Sequence, residues 1–97
     1  IQGTYVLRDR QHTGMRGVVV IVKKGEQYLL LWRYESGEHF TGVGMREGKY
    51  LYTAWTDKTV LGISRYRIEA QHDHVHLIGE TGTTEVLISV SDPARDR

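Results

Sequence analysis

The sequence has no cysteine, only one proline and no excess of either charge. Each shortage closes off a class of function. Without cysteine there are no disulfides, no thiolate nucleophile and no Cys-type zinc site. Thirteen basic and twelve acidic residues leave a formal net charge of +1, whereas nucleic-acid binders usually carry a basic excess, so no nucleic-acid partner is expected. No apolar run approaches the roughly 20 residues of a membrane-spanning helix, and no membrane span is expected. No stretch of ten or so residues keeps a helical apolar period without glycine or β-branched interruptions. No secretory signal is visible. The chain starts at Ile1 rather than Met, which would suit an exported or periplasmic protein whose signal has been removed; the compartment itself stays open.

What is present is a series of short apolar runs, recurring roughly every ten residues and separated by glycine or charged breaks, the spacing of an all-β sandwich or barrel. Six tyrosines and two tryptophans suit strands. Strands are predicted at 3–8, 17–23, 27–34, 39–47, 49–55, 60–69, 73–80 and 84–90. The core of the pattern lies between Gly17 and Trp55. Strand 27–34 places Tyr28, Leu30, Trp32 and Tyr34 on one face and Leu29, Leu31 and Arg33 on the other. Strand 17–23 is apolar on both faces. Two neighbouring strands of this kind need a cover for their second face, or self-associate through it. Gly42 and Gly44 fall on one face of strand 39–47, where missing side chains let a small barrel curve.

Eight short strands joined by hairpin-length loops predict an antiparallel up-and-down barrel, filled or holding one small ligand. At this length the chain is one domain, assigned to residues 1–92, with 93–97 a polar tail that frays.

Several residues carry a resemblance: Gly3 and Tyr5, then Leu30 and Trp32, then Gly42, Gly44, Gly48 and Leu51, then Gly79, Gly82 and Glu85. This series of G-x-Y, L-x-W, G-x-G-x-x-x-G-x-x-L and G-x-x-G-x-x-E resembles a bacterial calycin-like β-barrel domain, similar in shape to lipocalins and avidins. The resemblance implies a barrel scaffold; the matching families are mostly without an assigned function.

Two groups of residues are candidates for a site. His72, His74 and His76 would project from one face of a strand, about 6.6 Å apart in sequence order. Neighbouring pairs could chelate zinc or nickel through imidazole nitrogens at about 2.0 Å. The outer two would stand about 13 Å apart on a straight strand, so a site needs a further ligand such as His39 or His12. The plain alternative is a solvent-facing polar row, with Val75 and Leu77 turned inward. The second group is aromatic: Tyr28, Trp32 and Tyr34, joined across strands by Trp55, Tyr5 and Tyr66, as the lining of a ligand cavity or simply as packed core with tyrosine hydroxyls at the rim.

Other motifs say less. Arg65 and Arg67 share a face and could hold an anion, or simply face water. Glu35, Glu38 and Glu47 fall in turns, Ser64 has no nucleophile-elbow setting, and GVGMREG lacks the context of a phosphate loop. The expectation is a non-enzymatic binding module that offers loops or an open barrel end to a small apolar ligand or a protein partner. No cofactor is expected unless the histidine row binds zinc. That row defines the alternative of a metal-binding protein or metal-dependent enzyme. Self-association through 17–23 and 27–34 defines a third reading, a homo-oligomeric structural module.

Overall fold

The computed structural model describes residues 1–57 and 59–90. Eight strands follow in order: β1 (Gly3–Asp9), β2 (Arg16–Lys24), β3 (Gln27–Tyr34), β4 (His39–Glu47), β5 (Tyr50–Thr56), β6 (Leu61–Gln71), β7 (His74–Thr81) and β8 (Glu85–Ser89). Each pairs antiparallel with the next, and β8 pairs back on β1, so the sheet is a closed up-and-down barrel. The assigned domain boundary at 92 and the tail 93–97 lie outside the described residues.

Alternation decides what fills the interior. β3 buries Tyr28, Leu30 and Trp32 while Leu29, Leu31 and Arg33 face out. With Tyr5, Leu7, Val19, Ile21, Leu51, Tyr66, Leu77 and Leu87 they form one continuous core. Such a residue stabilises by about 1.5–3 kcal/mol when fully buried, and eleven of them carry the fold. Gly42 and Gly44 face inward where β4 crosses the core. A Cβ on Gly42 would come 2.9 Å from Cζ3 of Trp32, and one on Gly44 would meet Leu30 and Leu51 at 3.0 and 3.2 Å.

The barrel has two ends. One gathers the β2–β3, β4–β5 and β6–β7 hairpins and the start of β1. Each of these three loops has two residues, with the first at positive φ: Gly25 at 64°, Gly48 at 59° and His72 at 54°. A positive φ at the first position alone is the backbone of a type II′ turn, whose twist matches antiparallel strands. His72 is therefore a turn residue in a position that favours glycine. The expected row of three histidines on one strand is corrected accordingly: β7 begins only at His74, because the turn needs two residues and takes His72 and Asp73. The other end gathers the longer β1–β2 loop and the β3–β4, β5–β6 and β7–β8 connections.

Outside the barrel the apolar character of β2 and β3 is real and extends further. Register aligns Val22, Leu29, Val43, Ala54 and Ile63 in one outward row and Val20, Leu31, Thr41, Thr56 and Leu61 in the next. Ile63 and Leu61 are 75% and 79% exposed. No other part of the described chain covers them.

Candidate functional site

At the end carrying the longer loops, side chains from six strands surround a cavity of about 390 Å³. Its lining includes Trp32, Tyr34, Phe40, Trp55, Tyr66 and Glu85, with Asp9, His12 and Met15 at the mouth. Burial is graded. Trp32, Tyr66 and Glu85 are buried at the floor, Tyr34, Phe40 and Trp55 are half-buried, and His12 and Met15 are exposed. The cavity is thus closed below by the core and open above.

The aromatic wall is held by geometry. Phe40 meets Tyr34 edge to face at 5.9 Å between centroids and Trp55 at 5.4 Å, the arrangement favoured by ring quadrupoles. Trp55 stands between two glycines in register, Gly42 on β4 and Gly62 on β6. The indole lies over Gly62 so closely that a Cβ there would overlap the ring. Its Nε1–H donates to Ser64 Oγ at 2.9 Å. These contacts fix the ring, so the wall exists before any ligand arrives.

The floor carries a carboxylate. Tyr34 and Tyr66 donate their hydroxyls to the two oxygens of Glu85, the Tyr66 bond measuring 3.2 Å. Burial pushes the Glu85 carboxyl above its ordinary value; the Tyr34 and Tyr66 hydrogen bonds pull the other way, the charge of Asp9 adds to the rise, and the Trp32 indole opposes it. Burial and the same carboxylate raise both phenols as well.

Asp9 sits directly opposite Glu85 in the β1–β8 register. Burial acts against its charge, yet hydrogen bonds from the Thr84 hydroxyl at 2.7 Å and from the Gln11 and His12 amides win, and its carboxyl is held below the ordinary value. The His12 ring lies 3.5 Å from it. Like charges directly opposite in a sheet are destabilising, so this pair is an unusual feature for a small barrel to keep.

Of the aromatic residues expected at a site, Trp32, Tyr34, Trp55 and Tyr66 meet around this one cavity. Tyr28 does not; it packs inside the core opposite Gly44, toward the other end. There Tyr5 donates to the Ile1 carbonyl at 2.6 Å, and burial, with Tyr28 beside it, pushes the Tyr5 phenol up to about 12. Phe40 and Asp9 are members that sequence reading missed. Glu85 enters the sequence reading only as the last position of a glycine-spaced pattern, although a lone acid at an inward position of an otherwise apolar strand is a signal in itself.

The histidines are dispersed. His74 and His76 stay neighbours on the outer face of β7, His74 Nδ1 lying 3.1 Å from the Ser89 carbonyl. His72 is in the turn, His39 opens β4, and His12 lies beside Asp9 at the cavity mouth. Among the described residues no three His, Cys, Asp or Glu side chains converge as a metal-ion site. Arg65 and Arg67 face outward and pair with Glu80, Arg67 also with Glu69 at 3.0 Å. Ion pairs of this exposure contribute little.

Fold and cavity together define a closed antiparallel barrel with an aromatic-walled cavity at one end and a buried carboxylate beneath it. Comparison with protein-family models, with curated proteins and with solved structures finds no match for this chain.

Proposed function

We propose that this protein is a non-enzymatic binding module of calycin-like build that takes a small ligand into the open end of its barrel. The observation that carries the reading is the contrast between a packed core and a cavity of about 390 Å³ above it, within the usual range for small-molecule sites. The wall is aromatic and preorganised, and the polar groups are few and convergent, as ligand sites require. A buried carboxyl with a raised pKa in a cleft adds to this, since such groups concentrate at functional sites.

The test uses N-phenyl-1-naphthylamine, a neutral fluorescent probe. It should brighten on mixing and quench the emission of Trp32 and Trp55, and Phe40→Ala should weaken both effects. No change in either signal would sink the reading.

A second reading is self-association through the outer wall of β2–β6, with a second copy of the chain as occupant. It is favoured by the two outward apolar rows described above, whose continuity across five strands exceeds the scattered apolar residues normal on a surface. Light scattering should give a dimer mass that falls to the monomer in Ile63→Lys. A monomer at every concentration would dismiss it.

A further inference from the structure

We infer that the ligand of the open end is an organic cation, specifically an alkylated ammonium; this rests on the reading of that end as a ligand cavity. The cavity is electronegative by construction. Asp9 and Glu85 bring two carboxyl groups to it, and no lysine or arginine lines it among the described residues. Arg10, next to Asp9 in sequence, directs its guanidinium to the carbonyls of Gly79 and Thr84 instead. The hydrogen bonds that the two acids accept come from neutral donors: Tyr34 and Tyr66 on Glu85, and the Thr84 hydroxyl with two backbone amides on Asp9. The basic group beside them is the exposed His12 imidazole, 3.5 Å from Asp9.

The walls suit the same charge. Phe40, Trp55, Tyr34 and Trp32 surround the space over Glu85, and aromatic faces attract a cation within about 6 Å, most strongly where water is excluded. An alkylated ammonium spreads its charge over methyl groups that need no hydrogen bonds. It is therefore desolvated at lower cost than a primary amine and matches a wall with few free acceptors. A simple structural latch would need only one carboxyl and its two tyrosines. Asp9 has a local role of its own, accepting from the Gln11 and His12 amides after β1, but neither role requires that the two carboxyl groups stand opposite in register and line one open cavity.

Glu85 also makes recognition depend on pH. The groups facing it are Asp9 on β1, His12 in the β1–β2 loop, Tyr34 on β3 and Tyr66 on β6. Protonation of Glu85 removes the charge the cation needs, so binding is full above its raised pKa and falls as pH drops through it.

The experiment is a titration of the isotopically labelled protein with choline and with its neutral isostere 3,3-dimethylbutan-1-ol, read on the two indole N–H signals. Choline should shift both and bind at least about tenfold more tightly than the isostere. Glu85→Gln, close in shape, should remove the preference for choline over the isostere and the pH dependence of choline binding. Phosphocholine should bind more weakly than choline, because its phosphate meets Asp9. Trimethyl-lysine in a short peptide binding above choline would identify a modified protein side chain as the source; the reverse order would identify a free small molecule. Equal binding of choline and isostere, no shift with choline, or stronger binding of phosphocholine each overturns the inference. N-phenyl-1-naphthylamine still entering the cavity in those cases would leave the ligand-cavity reading standing.

Discussion

The two ends of the barrel are built from the same eight strands and have opposite character. At the short-hairpin end, Ile1, Tyr5, Ile21 and Tyr28 close the core, and the Tyr5 hydroxyl there is satisfied by the Ile1 carbonyl. At the long-loop end two carboxyl groups face each other beneath half-buried rings, and the interior stays open. Two-residue turns draw strands together tightly, whereas the six-residue connection between Asp9 and Arg16 can stand aside from the barrel mouth. The comparison teaches that one end is arranged for stability and the other carries features that lower it. Stability forgone at one place in a fold is commonly the mark of function.

Four measurements would break or sharpen that contrast. Truncation is the most severe. Ile21→Ala should cost about 3 kcal/mol by urea denaturation, and Phe40→Ala, at the half-open end, about half as much. Equal costs would mean that the open end is packed core after all. Gly62→Ala should cost about 2 kcal/mol, since the new methyl overlaps the Trp55 indole and must displace it. It should also move the Trp55 indole N–H resonance while sparing that of Trp32. His72→Gly should stabilise by about 1 kcal/mol, because His72 alone among the three closed-end turns holds a positive φ with a side chain. A loss of stability would assign the His72 ring a contact of its own.

The smallest effect is one of pH. The Glu85 carboxyl titrates above its ordinary value of 4.5 in the folded chain, so its contribution is fully present below pH 4.5 and is lost as pH rises through the raised value. Glu85→Gln should therefore gain on the native protein across that window and hold a constant advantage above it. Asp9 has the opposite sign: its contribution is present above its ordinary 3.8 and is lost as pH falls through the depressed value. Urea midpoints of the native protein, Glu85→Gln and Asp9→Asn from pH 3 to 7 would separate the two. A flat difference between native protein and Glu85→Gln would show that Glu85 is not desolvated in solution.

Much of the barrel could be read from alternation. The inward faces of β3 and β4 follow from Tyr28, Leu30, Trp32 and Tyr34 and from Gly42 and Gly44, since a strand must turn every second residue to the same side. The histidine row was not legible, because the boundary of β7 depends on a two-residue turn that His72 enters against its backbone preference. Phe40 was not legible as a wall residue, because only its neighbours across the sheet and around the bend distinguish it from rim packing. Arg65 and Arg67 were readable as outward, but their partner Glu80 sits beside a register shift between β6 and β7 that no local pattern announces.

By itself the sequence determined a succession of short antiparallel strands and which residues of a strand share a face, because both follow from a two-residue period and from turn residues a few positions away. Only the tertiary structure decided that Tyr34, Tyr66 and Glu85 would share one hydrogen-bonded cluster, since the first stands 51 and the second 19 residues from the acid. Closure of β8 on β1 sets Asp9 against Glu85, and the stagger of the strands sets the height at which each ring meets them. Those are long-range quantities, fixed when the sheet closes on itself, and local periodicity carries no record of them.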